Sequence, residues 1–209
     1  MQPPRAPRPA GALPVLGRGG GGYDPRVPTW ICLLRAVNLG SHQKVAMPAL
    51  RSALSEAGFG DVHTYVQSGN VVLTSSTRSA ARVGEAVRRT VVEGFGVDTP
   101  VIVRTPAELA AVATWNPFPD DAERRPQRVY VTCLPTEPPA AAVAELLEGA
   151  WAPDRVAVRG REVVASYADG LHASRLERSV VMRRVCADGT ARNWRTLRAL
   201  LDLGGPTSA

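Results

Sequence analysis

From Thr29 onward the hydrophobic period of the chain alternates between two and about 3.6, and the order of that alternation restricts the fold more than any single motif. TWICLLRAV, residues 29 to 37, is a continuous apolar run with β-branched members, as a buried strand requires. MPALRSALSEAG predicts a helix in which Pro48 suits the first turn, Leu50 and Leu54 share a face, and Gly58 supplies a left-handed stop. Val62 to Val66 and Val71 to Thr74 predict a hairpin. A second helix starts near Ser79, carries Val83, Val87 and Val91 on one face and ends at Gly94 or Gly96, and TPVIVRT, residues 99 to 105, predicts a closing strand. Strand, helix, strand, strand, helix, strand within about 75 residues is the split βαβ order.

The second half nearly repeats it. Thr105, Pro106 and Glu108 form a capping box for a short helix, and the loop WNPFPDDAERRP leads to a strand from Gln127 to Leu134. A helix opened by Pro138 and Pro139 carries Val143, Leu146 and Leu147, and strands follow near Arg155 to Val158 and Glu162 to Tyr167. Ser174 with Glu177 predicts a second capping box on a helix to about Val185, and Thr190 caps a last helix. The fold class expected is α+β: two tandem ferredoxin-like (split βαβ, α-β plait) units with antiparallel or mixed sheets, plus a C-terminal helix. The units span 29–104 and 105–203, between a disordered Pro- and Gly-rich tail at 1–28 and a short tail at 204–209. Val27 is an alternative initiator if its codon is GTG.

Composition narrows the chemistry. The charge is +6, yet Lys44 is the only lysine in a chain rich in Arg, Ala, Gly and Pro, a pattern that compositional bias explains as well as phosphate binding does. Cys32, Cys133 and Cys186 are odd in number and form no CxxC pair, so they read as buried thiols of a reducing, cytoplasmic compartment. His42, His63 and His172 have no metal-ligand spacing, and no cofactor fingerprint, nucleophile elbow or phosphate loop occurs. No apolar run approaches the roughly 20 residues that span a bilayer.

LLRAVNLG, KVAM, YVQSGNVV, NPF and the terminal TARNWRTL occur in this order across Thr29 to Leu203. Together these motifs resemble the bacterial family called domain of unknown function 1697. The resemblance implies a two-part α+β fold and no reaction. One departure stands out: the family has Arg-Gly where this chain has Arg35-Ala36.

The motif residues are mostly hydrogen-bond donors. Gly69 and Asn70 are good residues for a two-residue turn, since both tolerate positive φ, while Gln67 and Ser68 leave open whether the hairpin is a turn alone or also a binding edge. Arg35 and Asn38 end the first strand, where a buried arginine needs an anion or an internal carboxylate, and Lys44 follows close by. In TARNWRTLRALL, Trp194, Leu197 and Leu201 form the expected buried stripe. Arg192 and Asn193 fall in the first helical turn, where they either meet an anionic ligand or pair across the domains. Arg192, Arg195 and Arg198 recur every third residue as a basic stripe.

Three functions fit. The first is a binding module in which Arg35, Asn38, Lys44, Gln67, Ser68, Asn70, Arg192 and Asn193 hold a phosphorylated small molecule or nucleic acid at the domain junction. The second is an enzyme on a small anionic substrate with His42, His63 or Tyr65 as acid or base. The third is a scaffold whose motifs lock the two units together. None of the three calls for a membrane, a metal or a cofactor.

Overall fold

The structure, a computed structural model, describes residues 27–38 and 44–205. The tail expected at 1–28 falls outside the described residues except for its last two positions, as do His42 and residues 206–209.

In the first half, β1 (Thr29–Leu34), α1 (Met47–Glu56), β2 (Gly60–Tyr65), β3 (Asn70–Thr74), α2 (Ala80–Phe95) and β4 (Val101–Arg104) follow one another. α3 (Pro106–Trp115) and α4 (Pro119–Arg124) lead into the second half. There β5 (Val129–Cys133), α5 (Ala140–Glu148), β6 (Arg155–Arg159) and β7 (Glu162–Ser166) precede α6 (Arg175–Arg178), α7 (Val180–Val185), β8 (Thr190–Asn193) and α8 (Trp194–Leu203). The strands form two four-stranded antiparallel sheets, ordered β2-β3-β1-β4 and β6-β7-β5-β8.

Strand periodicity decides which core each residue enters. On β1, Trp30, Cys32 and Leu34 join a core with Leu50 and Leu54 of α1 and Val83, Val87 and Val91 of α2. The alternate residues Ile31 and Leu33 point the other way, into a core shared with Val129, Val131 and Cys133 of β5. Leu109 and Val112 of α3 and Trp194, Leu197 and Leu200 of α8 fill that shared core, so these two helices form a layer between the sheets. Each such buried side chain contributes about 2 kcal/mol of burial free energy. The far face of the second sheet, with Val163 and Ala165, is covered by Leu146 of α5, Leu176 of α6 and Met182 of α7.

Several elements differ from the sequence reading, each for a local reason. The segment expected as a loop contains α4, because Pro119 starts a turn that buries Ala122 and Phe118 in the shared core. The helix expected from Ser174 to Val185 is two helices: Ser174 caps α6 by accepting from Glu177 N–H at 2.9 Å, then Ser179 takes extended backbone and recaps α7 by accepting from Met182 N–H at 3.1 Å. Thr190 is not a helix cap; it lies on β8, paired with Cys133 of β5, and Asn193 caps α8 by accepting from Thr196 N–H at 2.9 Å. The buried stripe of α8 accordingly runs through Leu200, with Leu201 only partly covered. The turn between β2 and β3 has four residues, 66 to 69, and Asn70 is its first strand residue, opposite Tyr65.

The two sheets correspond residue by residue. Leu33 pairs with Asn70 as Cys133 pairs with Glu162, and Ile31 pairs with Arg104 as Val131 pairs with Arg192. Leu34 N–H donates to Gly69 O at 2.8 Å, and Leu134 N–H donates to Arg161 O at 2.8 Å. In both halves an arginine stands at the end of the last strand or one residue before it, the next residue caps a central helix, and a buried leucine follows four positions later: Arg104, Thr105, Leu109 and Arg192, Asn193, Leu197.

Ala36, where the resembling family has glycine, sits at φ 52. A β-carbon is disfavoured there by about 1 kcal/mol, so Ala36→Gly raises the melting temperature by several degrees in a thermal scan. A second test concerns acid. Burial alone pushes the Asp121 carboxyl up, but hydrogen bonds from Ser166, Arg125 and Arg155 together hold it well below the usual carboxylate range. A carboxyl lowered on folding contributes stability above its unfolded value of about 4, which is lost as pH falls through the folded one. Asp121→Asn therefore lowers stability at neutral pH and flattens its fall below about pH 4, as read by denaturant titrations at several pH values.

Candidate functional site

The end of β1, the hairpin turn before β3, and β8 meet where the two sheets join. Arg192 is the centre of that meeting. Placed on a strand rather than in a helix, it reaches across the junction, and each of its five N–H groups finds an oxygen. Nε donates to Asn70 Oδ1, Nη1 donates to Thr190 Oγ1 at 2.7 Å and Ala191 O at 2.8 Å, and Nη2 donates to Leu34 O at 2.8 Å and Ser68 O at 3.0 Å. All five acceptors are neutral. Burial pulls the guanidinium down to about 10, so it keeps its charge at neutral pH without a carboxylate beside it.

Asn70 is fully buried and uses its amide in both senses, accepting from Arg192 while Nδ2 donates to Tyr65 O at 3.0 Å and Ser68 Oγ at 3.1 Å. Gly69 is required by sterics, because at φ 69 an added Cβ would stand 2.5 Å from Val37 Cγ2 and 2.7 Å from Leu34 Cβ. Val66 also lies at positive φ, an uncommon conformation for a β-branched residue, with its side chain 55% exposed. Asn38, at φ 59, closes the segment after β1: Oδ1 accepts from Val45 N–H at 2.8 Å, while Nδ2 donates to Val45 O at 2.9 Å and Gln67 O at 2.7 Å.

Among the eight residues singled out in the sequence, Asn38, Asn70 and Arg192 thus have their polar groups engaged within the protein, and Asn193 has its Oδ1 engaged as the cap of α8. Arg35, Lys44 and Gln67 stay accessible, and Ser68 sits half-buried beneath Gln67. Arg35 faces Asp188 at 3.8 Å across the junction, with side chains 37% and 83% exposed, so it is neither deeply buried nor tightly paired. The basic stripe dissolves, since only Arg195 and Arg198 lie exposed on α8 while Arg192 belongs to β8.

The residue that sequence reading passed over is Arg104, the counterpart of Arg192. It is 1% exposed, and its Nε donates to Glu162 Oε1 at 3.0 Å while Nη2 donates to Leu134 O at 2.6 Å. The partners correspond as well, because Leu134 answers to Leu34 and Glu162 to Asn70. Setting RTPAEL beside RNWRTL would have revealed the relation, with arginine and helix cap at the same spacing from a leucine. The difference lies in charge: Arg104 has a carboxylate, Arg192 an amide.

Chemistry by a nucleophile or base gains little support from the geometry. His63 is exposed on β2, and Tyr65 contributes its backbone carbonyl to Asn70. Burial pushes the thiols of Cys32 up to about 12, Cys133 to about 11 and Cys186 to about 12, so none is a reactive thiolate at neutral pH. Among the described residues no group of three His, Cys, Asp or Glu side chains is placed to hold a metal ion.

The architecture is that of a two-sheet α+β protein whose halves are joined by strand-end arginines. The chain belongs to the family of proteins of unknown function DUF1697, whose model matches residues 27–164. Among solved structures, a conserved bacterial protein from Streptococcus pneumoniae is similar to it with a TM-score of 0.65 at 19% identity, over 86% of this chain and 99% of that one. At that identity the likeness is one of fold. Comparison with curated proteins gives no match.

Arginine at 192 is needed for its fork of donors and not only for its charge, because a lysine has three donors on a single nitrogen. Arg192→Lys is expected to destabilise the protein by about 3 kcal/mol, nearly as much as Arg192→Ala, since either leaves buried acceptors unpaired. Chemical denaturation of the two variants checks this; a lysine variant with native stability would show that charge alone suffices.

Proposed function

We propose that the protein is a binding module for a small phosphorylated or carboxylated anion, taken up at the junction beside the QSGN turn. One observation carries the reading: of two equivalent arginines, the buried Arg104 is neutralised by Glu162 and the half-buried Arg192 faces only neutral oxygens. The junction therefore keeps a net positive charge in a low-dielectric setting, where its field on a nearby anion is weakly screened. Arg35, Lys44, Gln67 and Ser68 supply the accessible groups for contact, and Arg192, Asn70, Asn38 and Asn193 hold them in place.

On this reading each half is a ferredoxin-like unit, 29–104 and 105–203, supported by the matching strand orders β2-β3-β1-β4 and β6-β7-β5-β8. The buried thiols fit a cytoplasmic setting, and no helix of the described residues is long and apolar enough to cross a membrane. A small ligand is favoured over nucleic acid because the junction offers no aromatic stacking platform and α8 lacks a continuous basic stripe.

Calorimetric titration with inorganic phosphate, pyrophosphate, a nucleoside monophosphate, citrate and a short RNA tests the proposal at low and moderate salt. Binding of one of the small anions is expected, with Arg35→Ala or Lys44→Ala lowering affinity about tenfold at unchanged melting temperature. No binding of any anion at low salt would leave the motifs as a lock between the two units, and RNA binding alone would move the ligand to nucleic acid.

A further inference from the structure

The second half carries a groove where its turn corresponds to the QSGN turn, and nothing in the junction reading uses it. The groove encloses about 280 Å³ between one face of α3 and the β6–β7 turn. Its α3 wall is Ala111, Val112 and the half-buried Trp115. Its floor is ionic but already balanced: Arg161 Nη2 donates to Glu108 Oε1 at 2.7 Å, and Arg104 donates to Glu162.

Two charges at the rim are not balanced. Glu137 and Arg159 are both exposed, and neither forms an ion pair among the described residues, with each other or with the floor. The Arg159 guanidinium lies 5.9 Å from the Trp115 ring centre, near the outer limit of a cation–π contact, so it can turn to another partner at little cost. Glu137 stands over Gly160, where an added Cβ would come 3.6 Å from its Oε1; the turn leaves this carboxylate room above the groove.

We infer that this groove binds a free α-amino acid with an apolar side chain, its ammonium on Glu137, its carboxylate on Arg159, and its side chain against Ala111, Val112 and Trp115. A zwitterion is the ligand that meets both unpaired charges at once; a simple anion or cation meets only one of them. The size agrees, since the groove falls below the range of pockets that hold drug-sized ligands and cofactors. The groove shares no ligand-contacting residue with the junction site, and the failure of either leaves the other standing.

The test is calorimetry or NMR titration of the full chain with L-phenylalanine, L-leucine, N-acetyl-L-phenylalanine and L-phenylalaninamide. The free amino acids are expected to bind, and the acetylated and amidated forms to bind at least about tenfold more weakly, because each lacks one of the two charges. Glu137→Gln and Arg159→Gln should each weaken L-phenylalanine about tenfold with the melting temperature unchanged. The inference is overturned if no free amino acid binds up to about 20 mM, if the blocked forms bind as well as the free ones, or if the two variants bind like the parent.

Discussion

The architecture depends on an exchange of arginines. Arg104 leaves the end of β4 to cap the carbonyl of Leu134 in the second sheet, and Arg192 leaves the end of β8 to cap the carbonyl of Leu34 in the first. Each sheet thus completes the hydrogen bonding of the other, at the strand ends where backbone carbonyls would otherwise be buried without a donor. The consequence extends inward. With the strand ends tied, α3 and α8, which each start two residues after these arginines, are aimed into the space between the sheets, and their apolar faces fill the shared core. Breaking one arginine would loosen a helix entry as well as a pair of polar contacts.

Much of this was legible in the sequence because it rests on local rules. The strand runs, the glycine stops of the first helices, the capping box at Thr105 and the simple cap at Ser174 depend on residues within one or two turns, and they appear where periodicity and cap chemistry put them, although Glu177 turns its carboxylate to Tyr167 instead of closing a second box. What was not legible depends on partners far along the chain. Thr190 reads as a good helix cap, but β8 can complete the sheet beside β5, and that pairing outcompetes one more helical turn. Asn70 reads as a turn residue, yet its amide is matched to an arginine on the other side of the molecule. Arg192 of the RNW motif meets the QSGN turn, but no spacing rule says that it would have all of its donors consumed there.

The near-symmetry of the two halves shows what has been kept and what has been altered. Backbone geometry, arginine position and helix capping are repeated, whereas the acceptor opposite the arginine is an amide in one half and a carboxylate in the other. The exchange of asparagine for glutamate at one position therefore decides whether the facing arginine is neutralised, with no change in the strand pairing. Folding is served equally by either choice of acceptor, since both satisfy the donor. The electrostatic character of the two junctions is free to diverge.

Asn38 illustrates a related separation. Its side chain bonds both the N–H and the C=O of Val45, so the two ends of the intervening segment are pinned as if by a third strand partner. Closing a loop of this kind becomes only slowly more unfavourable as the loop lengthens. What fixes Val45 against the hairpin turn is therefore this side chain and not the length of chain that joins the two positions. One asparagine thereby ties the end of β1, the approach to α1 and the hairpin turn into a single frame.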